Sequence, residues 1–133
     1  MEKTGLSTIV AQNIVNFGEA LVPPEWKPFA ILACLYLCTD ILTEVLSNNA
    51  TAVLMIPIGL SLATTLGVDP RPFVMAVAVA SSASFSTPIG YQTNTYVYGV
   101  GGYRFGDFWK IGLPLNILYF VGCMIIIPRL WPF

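Results

Sequence analysis

Five residues, Ser47-Asn48-Asn49-Ala50-Thr51, set two amides and two hydroxyls between apolar runs at 29–38 and 52–63. No other feature constrains the fold as much. A polar group taken away from water is costly unless it is hydrogen-bonded, and apolar neighbours offer no partners. The chain must therefore bring a second polar set to the same place. Composition makes the surroundings apolar: 56% of residues are hydrophobic and 10% charged, with a mean hydropathy of +0.73. Soluble domains carry about 25% charge, so this composition indicates an all-α integral membrane protein. A net charge of -1 gives no electrostatic basis for a nucleic-acid partner. Cys34, Cys38 and Cys123 have neither metal nor redox spacing.

A membrane-crossing helix needs about 20 apolar residues, and a run of 10 to 14 suggests a re-entrant segment. The runs at 29–38, 52–63 and 73–85 are all short. Only 111–127 approaches a full span. It ends in "PRLWPF", an interface anchor, so 111–130 is predicted as a terminal transmembrane helix. Arms at 28–46 and 50–66 then form a re-entrant hairpin, 28–66, with the polar knot at its tip. Non-helical backbone is tolerated at that depth only when buried in protein or lining a wet cavity. The alternative is an ordinary loop between short spans, with Ser47 or Asn48 as an N-cap.

A second knot occurs at "SFSTPIGYQTNTYVYG", 84–99. Pro88 removes an amide and Gly90 loosens the chain, so a helix from Phe73 is expected to stop near Ser86 and restart within 91–94. That makes 73–100 one discontinuous membrane helix, a pointer to a transporter's binding site. The segments 67–70 and 99–110 are predicted as loops. Before the hairpin, Leu6, Ile9, Val10, Ile14, Phe17 and Leu21 recur at helical spacing. They predict an interfacial amphipathic helix over 1–21.

Four half-helix ends thus meet. Carbonyl ends attract cations and amide ends attract anions. Ser, Thr and Asn side chains add hard, neutral oxygens suited to an alkali cation rather than a transition metal. The candidates for sodium are Ser47, Asn48, Thr51 and Ser86. The same groups with backbone amides can donate to an oxyanion, which nominates Asn48, Asn49 and Thr87. No Lys or Arg lies in either knot. Asp40 and Glu44 sit one turn apart on the first arm, and intramembrane acids are functional candidates. The alternative reading of Glu44 is a bond to the tip backbone, and Asn94 is a further supporting polar group. Asn116 in the last span reads as a helix-packing amide. Asn49-Ala50-Thr51 matches the glycosylation pattern, but a buried tip is out of reach of that machinery.

The stretches "TEVLSNNATAVLMIPI" and "STPIGYQTNTYVYGVGGYRFGDFWKIGLPLNI" resemble the divalent anion/sodium symporter family. That family includes sulfate, dicarboxylate and citrate carriers. The resemblance implies two inverted repeats, each with a Ser-Asn-Thr hairpin tip and a helix broken at a Thr-Pro loop. This chain matches the end of the second repeat. Ser47 and Asn48 take the first two places of the tip motif, and Asn49 stands where many relatives have Thr. Thr87 and Pro88 match the broken-helix loop, which adds Pro88 to the substrate-binding set.

The resemblance further implies sodium-coupled symport of a divalent or oxyanion by elevator-like alternating access. The "TPIGYQTN" form favours a sulfate-like substrate over a dicarboxylate or citrate. The implied partners are Na⁺ as the coupling ion with no other cofactor, a small inorganic or organic anion, the lipid bilayer, the missing first repeat, and a second copy as a homodimer. The implied location is a bacterial-type inner or plasma membrane. A non-transporting membrane fragment is the competing class. With no histidine and no Ser-Lys pair, enzymatic chemistry is not expected.

Overall fold

The computed structural model describes residues 23–133 together with 5, 9, 12–14 and 16. The interfacial helix expected over 1–21 lies for the most part outside the described residues. Among the described residues all regular structure is helical: α1 (Lys27–Thr43), α2 (Asn48–Leu66), α3 (Arg71–Ala80), α4 (Gln92–Gly101) and α5 (Phe105–Leu130).

Local chemistry sets most of these boundaries. Pro28 sits in the first turn of α1, where its missing amide costs no hydrogen bond. Ser47 caps α2: its backbone is extended and its Oγ accepts from the Ala50 amide at 3.4 Å. Gly67 ends α2 at φ 68°, with Val68 N bonded to Ala63 O and Gly67 N to Thr64 O. This is a Schellman closure that favours glycine. Asp69 accepts from the Arg71 amide at 2.8 Å and starts α3. Asp107 reaches back to the Arg104 amide at 2.9 Å and starts α5.

Two expectations change. The twelve-residue apolar run at 52–63 grows into the 19-residue α2, because Pro57 and Gly59 do not interrupt it. Thr64 and Thr65 extend its end by donating to the Leu60 and Ser61 carbonyls. Both α2 and α5 are long and apolar enough to cross a membrane, so a re-entrant course does not follow from arm length. The segment at 99–110 is not one loop. Helix α4 runs to Gly101, and α5 begins at Phe105, nearly two turns before the apolar run at 111, because of the Asp107 cap.

The ten-residue α3 is about 15 Å long, half a hydrocarbon core. It packs against α1, α2 and α5. Ile31, Leu32 and Leu35 of α1, Leu62 of α2 and Phe73, Ala76, Val77 and Ala80 of α3 form the buried centre, with Met124 and Ile127 of α5 closing one side. Helix α4 buries none of its residues within the described structure. The result is a helical hairpin, α1–α2, whose turn at 44–47 faces the non-helical segment at 81–91.

Candidate functional site

The turn and the non-helical segment are joined by side chains that leave one for the other. Glu44 follows the last residue of α1, and its carboxylate is turned inward. Oε1 accepts from the Phe85 amide at 3.0 Å and the Ser86 amide at 2.8 Å. Oε2 accepts from the Thr87 amide at 2.7 Å. The Asn116 side-chain amide of α5 adds a fourth bond to Oε1, at 2.9 Å. All four donors are neutral. Four donors thus converge on one carboxylate and fix its position.

Thr87 spends both of its donors on Glu44. Its amide goes to the carboxylate and its hydroxyl to the Glu44 carbonyl at 2.6 Å, while its oxygen receives the Gly90 amide at 3.4 Å. Thr43 makes a second clip. Its Oγ lies 2.6 Å from the Ser81 carbonyl and 2.9 Å from the Asn48 side-chain amide. One hydroxyl hydrogen serves only one acceptor, so the shorter contact is the donation. An Asn48 amide turned by half a revolution then donates to the Thr43 oxygen.

Gly90 shows how closely the two breaks approach. A Cβ built there would lie 2.1 Å from Ser84 Oγ and 2.4 Å from the Thr43 carbonyl. The far side of the segment is tied down by Asn94, which donates to the Ser84 carbonyl at 2.8 Å and the Thr87 carbonyl at 3.3 Å. Thr95 donates to the Pro88 carbonyl at 2.6 Å. Pro88 itself is buried.

Each sequence-nominated residue can now be placed. Glu44, Asn48, Ser86, Thr87, Pro88 and Asn94 belong to one connected region. Thr51 follows Asn48 by three positions, which puts both on one face of α2. Thr51 is fully buried, and its hydroxyl has no hydrogen-bond partner among the described residues. Ser47 and Asn49 are exposed at the rim, with Ser47 engaged as the cap. Asp40 lies one turn back along α1, with Oδ1 buried and unpartnered among the described residues. Among the described residues it makes no hydrogen bond to the clip.

Sequence reading missed Thr43, whose partner Ser81 lies 38 residues away, and Ser84 and Thr95, whose contacts fall within the segment itself. It read Asn116 as a helix-packing amide, but that residue reaches the non-helical segment instead. The available signal was an amide in an otherwise apolar span. Among the described residues no group of three or more His, Cys, Asp or Glu could hold a metal ion.

A cavity of about 320 Å³ opens between α4 and α5. Its walls include Phe85, Val97, Tyr103, Phe108 and Leu115, and neither Thr51, Ser84 nor Glu44 lines it. The convergent oxygens lie elsewhere, at the meeting of α1's carbonyl end, α2's amide end and the segment 81–91. Chemically, that meeting offers hydroxyls unpaired among the described residues, the Glu44 carboxylate and the N-terminus of α2.

Comparison with known proteins gives a family and relatives. Residues 1–132 match the family model described as citrate transporter. An uncharacterized transporter of Synechocystis is 48% identical over 118 residues, covering 89% of this chain and 18% of the relative. The uncharacterized transporter YfbS of Escherichia coli is 41% identical over 133 residues, 100% of this chain and 21% of the relative. Sodium/sulfate cotransporter 2 of Chlamydomonas reinhardtii is 33% identical over 117 residues, 88% of this chain and 13% of the relative. The chain thus spans about a fifth or less of the length of these curated relatives.

Proposed function

This chain belongs to the citrate transporter family, and we propose that it supplies one half of the ion and substrate site of a sodium-coupled anion carrier in a membrane. The observation that carries the reading is the pair of buried hydroxyls, Thr51 Oγ and Ser84 Oγ, which have no hydrogen-bond partner among the described residues. An unpaired buried hydroxyl costs about 1–3 kcal/mol. A bound Na⁺ accepts such oxygens as ligands and removes that cost. Ser47, Asn48 and Ser86 complete the oxygen set at the tip and the break. Asn48 and Asn49, at the amide end of α2, are the donors to the anion. Thr87 and Pro88 shape the facing wall, while Glu44 and Asn94 hold it in place. Asp40 adds negative charge one turn away.

A sulfate-like substrate is supported by the "TPIGYQTN" form and by relatives such as the Chlamydomonas sodium/sulfate cotransporter. A dicarboxylate or citrate substrate is the second choice, favoured by the family description. The hairpin α1–α2 dips into the membrane from one side, and α3 with α4 is one interrupted membrane helix. The other half of the site comes from a first repeat, in a dimeric carrier of a bacterial-type inner membrane. The work is carriage rather than catalysis, with Na⁺ as the coupling ion.

The test is uptake by the complete carrier in proteoliposomes, varying Na⁺ and anion independently. Sulfate uptake is expected to require inward-directed Na⁺ and to be competed less by succinate or citrate than by sulfate itself. Uptake indifferent to Na⁺ would refute the coupling. Thr51→Val keeps the shape of the side chain and removes the oxygen. It is expected to raise the Na⁺ concentration for half-activation by about ten- to a hundredfold, the worth of one bond to a charged group. An unchanged Na⁺ curve would remove Thr51 from the ion's ligands.

A further inference from the structure

We propose that Asn116 is a positioning residue of the cation site, acting through Ser86 and Glu44; this rests on the sodium-coupled reading above. Asn116 is 6% exposed in the apolar helix α5. The two hydrogens of its Nδ2 are divided between Glu44 Oε1 at 2.9 Å and Ser86 Oγ at 3.1 Å. A packing amide would bond a neighbouring helix. This one bonds the non-helical segment and the carboxylate that gathers that segment's amides. One turn earlier, at Gly112, a Cβ would lie 2.1 Å from the Phe85 carbonyl oxygen. The α5 backbone is therefore pressed against the same segment, and Gly112 leaves the room for it. The pair makes a seat for Phe85 and Ser86.

The seat governs which way the Ser86 hydroxyl faces. While Ser86 Oγ accepts from Asn116, it keeps one lone pair and its own hydrogen. The free lone pair is available to a cation. Without the amide, the Ser86 hydroxyl is free to turn toward the Glu44 carboxylate, which already holds the Ser86 amide and whose Oε1 has lost a donor. The hydroxyl then turns to Glu44 and its orientation toward the cation is lost. Asn116 so adjusts cation affinity without touching the ion.

The experiment measures uptake by the complete carrier against Na⁺ at saturating anion, and against anion at saturating Na⁺. Asn116→Leu fills the space without the amide. It is expected to raise the half-activating Na⁺ about tenfold, with the anion KM at saturating Na⁺ within about twofold of wild type. In a Ser86→Ala background the same substitution is expected to add little, because its target is gone. Asn116→Gln retains the amide and is expected to recover part of the Na⁺ affinity. A lower maximal rate with an unchanged Na⁺ curve, or an effect additive with Ser86→Ala, overturns the proposal. Failure of both Asn116→Leu and Asn116→Gln to reach the membrane at wild-type levels makes the residue structural and also overturns it. Wild-type uptake that ignores Na⁺ defeats the functional reading itself, and this inference with it.

Discussion

Glu44→Gln is expected to abolish measurable uptake and to lower the folded stability of the carrier by about 3–4 kcal/mol. The carboxylate accepts four hydrogen bonds, three from consecutive backbone amides and one from Asn116. Bonds to a charged acceptor contribute about 1.5–3 kcal/mol each, against about 0.5–1.5 for neutral ones. Converting the acid to an amide loses roughly 1 kcal/mol per bond. It also points an N–H group at other donors. The segment 85–87 would then lose the acceptor that shapes it. Glu44→Asp keeps the charge but shortens the reach, so it is expected to retain part of the uptake. The checks are a thermal melt in detergent and uptake in proteoliposomes. A Glu44→Gln carrier that melts with wild type and transports normally would show that the carboxylate is dispensable.

Gly90→Ala is expected to reduce uptake by more than about a hundredfold while the protein still inserts. The added methyl would approach the Ser84 hydroxyl to 2.1 Å and the Thr43 carbonyl to 2.4 Å. Overpacking of this kind costs about 1–3 kcal/mol when neighbours yield. Ser84 can rotate. The Thr43 carbonyl belongs to the end of α1 and cannot move without carrying the helix. The cheapest relief is to part the hairpin turn from the facing segment, which separates Thr43 and Glu44 from Ser81 and Thr87. Stability is then only modestly reduced, but the site is opened. Kinetics on variant protein normalised for amount in the membrane would separate the two. Uptake within about threefold of wild type would mean that the contact is not needed for transport.

Much of this arrangement is legible in the sequence because it is written in local chemistry. The Ser47 cap and the apolar arms on either side are short-range signals, and the helices Lys27–Thr43 and Asn48–Leu66 fall close to the arms expected at 28–46 and 50–66. The end of α3 is different. Serines and apolar residues continue to 86, yet the helix stops at Ala80. After Ala80 the amides turn to tighter bonds, Ser82 to Val79 and Ala83 to Ala80. Those of 85–87 leave the helix path for the Glu44 carboxylate. That competing acceptor lies more than forty residues earlier in the chain, so no window around Ala80 contains it. Asn116 is hidden by the same distance. Its two partners come from different elements, and its own neighbourhood is uniformly apolar. The role of Glu44 was half visible: an acid in an apolar arm is conspicuous, but whether it bonds its own turn or another segment is a tertiary fact.

The span between Glu44 and its donors also dictates a timetable for biosynthesis. The carboxylate emerges from the ribosome 41 residues before its first amide partner and 72 before Asn116. At about 5–20 residues per second, the later wait is roughly 4–14 s, whereas a helix forms within about a microsecond. Throughout that interval the α1–α2 hairpin can exist, but its acid has no internal donors from 85–87 or α5. Placing such a group at mid-bilayer costs about 2.5–3.5 kcal/mol on insertion scales. The nascent hairpin is therefore better kept at the translocon or the headgroup layer until the later segments arrive. Translation arrested before Ser84 leaves that acid without the three backbone donors it has in the finished chain.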